Sequence, residues 1–279
     1  MVALDPRINP FRPEIAADFL KGQVEAARFV EGVRHEVVEP IAAVRRMPSH
    51  EARLDTQAML GETVAVFETN DEGWAWGQLE NDGYVGWLPA NALGAPGPAA
   101  THKVAVPRTL AFPGPDIKRK PAAALPMGAR LAIVRQDERF AVAANGWNLP
   151  IMHLTPLKAR QPDFVAIAEE FLHTPYLWGG KTSLGIDCSG LVQVALQAAG
   201  MACPRDSDMQ EMALGKLSSL GGIRRGDLVF WKGHVAIACD DETLLHANAH
   251  AMAVAIEPAA EAIARIKAAG SDITSVKRI

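Results

Sequence analysis

The sequence predicts an α+β domain at the C-terminal end of the chain, preceded by one or two small all-β barrels and a short N-terminal helix. Three observations carry this expectation. Residues 36–95 hold short β-type runs separated by turn residues, and residues 101–158 repeat that texture more loosely. Beyond Gln161 helical patterns come first and a series of strand-like runs follows, interrupted by one further helical pattern.

Residues 1–35 form the expected N-terminal helical segment, because Ile15, Phe19, Val24 and Phe29 roughly follow a helical stripe. From Glu36 the period changes. Val37-Val38, Ala43-Val44, Thr63-Val-Ala-Val-Phe67, Trp74-Ala-Trp76 and Tyr84-Val-Gly-Trp-Leu88 read as strands, with turns at Asn70-Asp-Glu-Gly73 and Asn81-Asp-Gly83. Five short strands in about sixty residues suggest a small barrel. Gly94-Ala-Pro-Gly-Pro-Ala-Ala100 reads as a linker. The runs Lys103-Val-Ala-Val, Leu110-Ala-Phe, Ala129–Val134, Phe140-Ala-Val-Ala and Gly146-Trp-Asn-Leu then support a second barrel over 101–158. In the last domain, 159–279, helices are expected at 164–172, from Cys188, near 208–214 and over 257–269. Strands are expected at 227–231, 235–238, 243–246, 253–256 and 273–276.

Composition narrows the class. With 279 residues, 49% hydrophobic and 22% charged, the chain reads as globular with room for several small cores. A formal net charge of −4 argues against a nucleic-acid partner, and no apolar run has the length of a membrane span. The first residues, rich in proline with an early Asp5, do not resemble a secretory signal. Three cysteines, Cys188, Cys203 and Cys239, form an odd count with no CxxC pair, so neither a disulfide framework nor structural zinc is expected. A reducing cytoplasm is the simplest location on these grounds.

The chemistry centres on Cys188, which opens an apolar helix-forming run after a Gly-rich loop. A thiol at a helix N-terminus feels the positive end of the macrodipole, which favours the nucleophilic thiolate. His234 stands just before a strand, and His246 lies twelve residues on at the end of the next. Adjacent antiparallel strands can bring these imidazoles together, making Cys188 a nucleophile, His234 its base and His246 the orienting group. Pattern alone leaves alternatives open. Cys188 could be an inert core thiol, as Cys203 and Cys239 are expected to be. His250 could replace His246, or His234, His246 and His250 could bind a metal, although nothing resembling HExxH supports zinc.

Five motifs taken in order add a resemblance: Thr174-Pro-Tyr-Leu-Trp-Gly-Gly180, Asp187-Cys-Ser-Gly-Leu-Val192, Pro204-Arg-Asp-Ser-Asp-Met-Gln210, Gly226-Asp-Leu-Val-Phe-Trp231 and Gly233-His-Val-Ala-Ile237. Together they resemble the NlpC/P60 family of papain-like cysteine peptidases over about residues 162–279. The upstream barrels resemble bacterial SH3 domains, most clearly at Gly83-Tyr-Val-Gly-Trp-Leu-Pro89. The resemblance implies a papain-like fold and a triad of Cys188, His234 and His246, with Tyr176 beside the nucleophile holding the oxyanion together with the Cys188 backbone N–H. No metal or organic cofactor is implied.

It also implies a substrate. Such enzymes typically cut the γ-D-glutamyl–diamino acid bond of peptidoglycan stem peptides. Members with SH3-like domains, Asp-Cys-Ser and Arg-Asp-Ser act on peptides with a free N-terminal L-alanine. A buried ammonium requires carboxylates and hydroxyls. Asp187, Ser189, Asp206 and Ser207 are the implied amine ligands, with Tyr84 and Glu51 contributed by the SH3-like unit. Asp187 could instead cap the Cys188 helix, and Arg205 could pair with an acidic substrate group or brace Asp206. The expected reaction is release of L-Ala-D-Glu during murein peptide recycling, of the γ-D-glutamyl-L-diamino acid endopeptidase or dipeptidyl-peptidase VI type. The alternatives are a wall-remodelling endopeptidase acting on intact peptidoglycan and a non-catalytic protein that binds its peptides.

Overall fold

The computed structural model describes residues 4–279 and divides the chain into two compact units at Leu157 and Lys158. Among the described residues no helix is long and apolar enough to cross a membrane.

The first unit opens with strands where a helix was expected. Phe11–Arg12 pairs antiparallel with Ile15–Ala17, which pairs parallel with Phe29–Val30, and a 3-10 turn occupies Asp18–Leu20. The N-terminal helix is therefore absent, and its apolar stripe is not one face. Ile15 is fully buried whereas Phe19 is 62% exposed. Ile15, Ala17 and Leu20 pack against Phe67, Trp74, Trp76 and Trp87. Burial on that aromatic surface outweighs a weak helical propensity.

A seven-stranded antiparallel sheet follows, in the order Leu93–Gly94, Val33–Val37, Thr63–Thr69, Trp74–Leu79, Val85–Pro89, Ile41–Arg45, Leu54–Met59. It closes around Val37, Val44, Val64, Val66, Leu79, Tyr84 and Leu88. Gly77 and Gly86 face each other across two strands. A side chain at Gly77 would meet Val64 at 2.7 Å, so the close approach requires glycine. Residues 101–157 build three smaller sheets around Val104, Ala111, Leu125, Leu131, Ala143 and Leu149. Both modules end with the same local device. Val85–Pro89 runs through the 3-10 turn Ala90–Ala92 into Leu93, and Asn148–Pro150 runs through Ile151–His153 into Leu154. The prolines Pro89 (φ −57°) and Pro150 (φ −54°) stand at the same point of each.

The second unit carries helices α1 (Phe164–Glu169), α2 (Cys188–Ala198), α3 (Ser207–Ala213) and α4 (Ala259–Ala268). Its six-stranded antiparallel sheet has the order Lys216–Ser218, Ile273–Arg278, Asp227–Trp231, His234–Ala238, Thr243–Asn248, Ala253–Pro258. Its central strands are buried on both faces. Val229, Trp231, Ala236 and Leu244 pack with Ala259 and Ala262 of α4, while Leu228, Phe230, Val235, Ile237 and Leu245 on alternate positions are also fully buried. Helix α2 lies against the His234–Ala238 and Thr243–Asn248 strands. Its Leu191, Val192 and Leu196 are almost entirely buried, each contributing about 1.5–3 kcal/mol. Packing that helix on that pair of strands places Cys188 against Val235, the residue after His234. One boundary differs from expectation: Glu257 belongs to the Ala253–Pro258 strand, and the helix starts after Pro258.

Candidate active site

Helix α2 starts at Cys188 because Asp187 caps it, accepting the Gly190 N–H at 2.7 Å. The turn before it is locked by close backbone approach. A Cβ on Gly190 would lie 2.3 Å from the Gly180 carbonyl oxygen, and one on Gly180 would lie 2.3 Å from the Gly185 oxygen. The two Gly-rich motifs are thus one structure, seen from its two sides. The other Asp187 oxygen accepts the Gly179 N–H at 2.7 Å.

Arg205, 1% exposed, grips Asp187 with both terminal nitrogens, Nη1 to Oδ1 at 2.9 Å and Nη2 to Oδ2 at 2.6 Å. Its Nη1 also donates to Ser189 Oγ at 2.8 Å. A charged pair this deeply buried holds only with such bidentate geometry. Gln210 of α3 adds a further tie, donating to the Ser189 and Pro204 carbonyls, each at 2.9 Å.

The buried Cys188 thiol receives the backbone N–H of Val235, the residue after His234. Burial first, and then the Asp187 carboxylate, push it up to about 12, against the opposing effect of Arg205. His234 Nε2 lies 2.7 Å from Nδ1 of His246 on the neighbouring strand. Burial lowers His234 to about 3, with His246 and Arg265 adding to the shift. Trp231 pairs directly across from His234, with ring centroids 5.7 Å apart. Burial also lowers His246, opposed by Glu257. Burial thus favours the neutral thiol and the neutral imidazole in the resting site. The thiolate favoured by the helix dipole alone is not the form this environment supports.

Tyr176 is half-buried, and its hydroxyl is raised to about 12 by burial, then by Cys188 and Asp187. It stays a hydrogen-bond donor at any working pH. Its segment is pinned to the sheet, since the Tyr176 N–H donates to Met252 O and the Val254 N–H to Thr174 O, at 2.9 and 2.8 Å.

Among the other residues singled out above, Asp187 and Ser189 sit beside the nucleophile, with their polar atoms engaged by the helix start and Arg205. Arg205 braces Asp187. Asp206 is the partly exposed N-cap residue of α3 and makes no capping bond, while Ser207 is buried at the start of that helix. In the first unit Tyr84 lies in the barrel core, 3% exposed, and Glu51 is exposed in a turn. His250 is exposed on the turn after the His246 strand, and Cys203 and Cys239 are buried cysteines outside any disulfide.

Two residues were missed. Glu257 Oε1 lies 2.6 Å from His246 Nε2, and Arg265 of α4 binds both oxygens of Glu257. The signal was present in the last hairpin. His246 pairs with Ala255, so Glu257, two residues on, shares its face. Assigning Glu257 to the following helix concealed it.

Comparison with known proteins matches residues 173–269 to the NlpC/P60 family and residues 44–93 to the bacterial dipeptidyl-peptidase Sh3 domain. The chain carries both domains. A dipeptidyl-peptidase 6 of Lysinibacillus sphaericus is 38% identical over 90 residues, which is 32% of this chain and only 33% of that protein. A γ-D-glutamyl-L-lysine dipeptidyl-peptidase of Bacillus cereus is 26% identical over 246 residues, covering 74% of this chain and 71% of the other. A crystal structure of an NlpC/P60 family protein from Bacillus cereus superimposes with a TM-score of 0.73 at 20% identity, covering 88% of this chain and 99% of that one.

Proposed function

We propose that the protein is a cysteine peptidase that hydrolyses the γ-D-glutamyl–diamino acid bond of peptidoglycan stem peptides, releasing L-Ala-D-Glu from peptides with a free N-terminal L-alanine. The observation that carries this reading is the Cys188 thiol at the start of α2, against the Val235 N–H and beside the His234–His246 pair. The name of the Bacillus cereus relative supports the substrate class, and both names support release of a dipeptide.

In the reaction, Cys188 Sγ attacks the γ-carbonyl carbon of the D-glutamyl residue. The thiol proton passes to His234 Nδ1, the ring nitrogen not occupied by His246. The carbonyl oxygen becomes an oxyanion, stabilised by the Tyr176 hydroxyl and the Cys188 backbone N–H. Breaking the C–N bond transfers the proton from His234 to the departing amine and leaves a thioester on Cys188. Water, deprotonated by His234, then hydrolyses the thioester, returning the proton to sulfur. The neutral resting pair fits this sequence, because charge separates only as the bond forms. Asp206, partly exposed at the start of α3, is the carboxylate assigned to the substrate ammonium, on the strength of the Arg205-Asp206-Ser207 pattern. Such peptides arise when wall material is recycled, which makes a cytoplasmic setting the one this reading fits.

The test is hydrolysis of L-Ala-γ-D-Glu-meso-diaminopimelate, followed by mass spectrometry of the products. Release of the dipeptide is expected, with Cys188→Ala reducing it on the order of a thousandfold or more. Acylating the alanine amine should lower kcat/KM by about a hundredfold, as for a site that loses its hydrogen-bonding partner. Undiminished activity in Cys188→Ala would contradict the mechanism. Equal cleavage of the acylated peptide would instead favour action on the intact wall.

A further inference from the structure

We propose that Glu257, clamped by Arg265, is a positioning residue that sets the direction of the protons along the His246–His234 pair. The role in turnover rests on the peptidase reading above, while the proton arrangement itself does not. Three groups form a hydrogen-bonded chain: Glu257 Oε1 is 2.6 Å from His246 Nε2, and His246 Nδ1 is 2.7 Å from His234 Nε2. A neutral imidazole carries one proton and one lone pair on its two nitrogens. Which nitrogen holds the proton is decided by the partner of the other.

Glu257 is a carboxylate and can only accept. Burial works against its charge, but hydrogen bonds from Arg265 and His246 keep its pKa below the ordinary value. It therefore holds the His246 proton on Nε2. Nδ1 is left as a lone pair, which accepts the Nε2–H of His234. His234 in turn presents Nδ1 as the lone pair available to the Cys188 proton. With His246 in the opposite tautomer, two N–H groups would meet at the 2.7 Å contact, and His234 would be forced to carry its proton on Nδ1. Its basic nitrogen would then point away from the nucleophile.

The fold supports this as a built arrangement. His246 is 1% exposed, and its Nε2 meets Glu257 at 2.6 Å. Arg265 reaches back from α4 to both oxygens, and Arg265 and Glu257 lie on consecutive elements joined at Pro258. The charged and titratable groups acting on the pair are Glu257 from the last strand, Arg265 from α4 and Asp187 from the start of α2. Of these only Glu257 contacts His246.

Selective 15N-histidine labelling of the full chain reads the protonation of each ring nitrogen directly. In the unaltered protein His246 is expected with its proton on Nε2. Glu257→Ala should replace that signal with a mixed or Nδ1-protonated one. Glu257→Gln, nearly the same shape and still able to accept, should keep Nε2–H and serves if the alanine variant does not fold. With the γ-D-glutamyl peptide, kcat should fall about tenfold to a hundredfold in Glu257→Ala and less in Glu257→Gln, with KM within about twofold of the parent. An unchanged His246 spectrum in Glu257→Ala, or His246 with its proton on Nδ1 in the unaltered protein, overturns the proposal. If the unaltered protein cleaves no γ-glutamyl peptide, the peptidase reading fails, and the nitrogen spectra still decide the role of Glu257.

Discussion

At the scale of single residues, the site is governed by how few of its polar groups meet water. Cys188, Asp187, Ser189, Arg205 and His246 are each less than a tenth exposed. Burial dominates the raised thiol and the lowered imidazole of His234. The signs have a direct consequence. A raised thiol and a lowered imidazole both favour the neutral forms over a stored thiolate–imidazolium pair in the free protein. Alkylation of Cys188 by iodoacetamide should accordingly rise with pH, by about tenfold per unit, from neutral towards the raised thiol value. A rate that is fast and level below pH 7 would show an ion pair instead. Cys188, His234 and His246 were legible in the sequence because each sits in a short local motif whose residue types announce a turn, a helix start or a strand start. Glu257 and Arg265 were not, because their part depends on the register of a hairpin and the reach of a helix, and neither is local.

At the scale of elements, the Cys188 turn is held by close backbone approach. Gly180 and Gly190 approach each other's backbone so closely that a methyl group on Gly190 would overlap the Gly180 carbonyl oxygen at 2.3 Å. Backbone, unlike a flexible side chain, cannot yield cheaply at that distance. Gly190→Ala is therefore expected to destabilise the protein by roughly 2–4 kcal/mol in urea denaturation and to displace the start of α2, with a large loss of activity. A variant with unchanged stability and turnover would remove the claim that this contact sets the position of the thiol. Strands were largely readable from alternation, because the sheets bury one or both faces in a regular way. The residue 13–33 segment was misread for a related reason. Its apolar residues are recruited by the Phe67, Trp74, Trp76 and Trp87 surface, and nothing in the local period reveals that partner. The helix expected over 257–269 enclosed Pro258, which in fact separates the strand bearing Glu257 from α4.

At the scale of the whole molecule, the chain joins an NlpC/P60 domain to an all-β unit that contains a bacterial dipeptidyl-peptidase Sh3 domain. The two sequence matches cover residues 44–93 and 173–269, and residues 101–157 lie outside both. That intervening module nevertheless has its own core and ends in the same strand, proline, 3-10 turn and strand as the module before it. The order of the modules was legible because linker composition and strand texture change abruptly in sequence. The central claim joins this architecture to one bond: the thiol of Cys188 attacks the γ-glutamyl carbonyl. Acid-quenching the protein during turnover of L-Ala-γ-D-Glu-meso-diaminopimelate, followed by peptide mass spectrometry, tests it most directly. The expected result is an L-Ala-γ-D-Glu acyl group on Cys188, absent from Cys188→Ala. Turnover with the acyl group on another residue, or continuing at full rate in Cys188→Ala, would contradict the account.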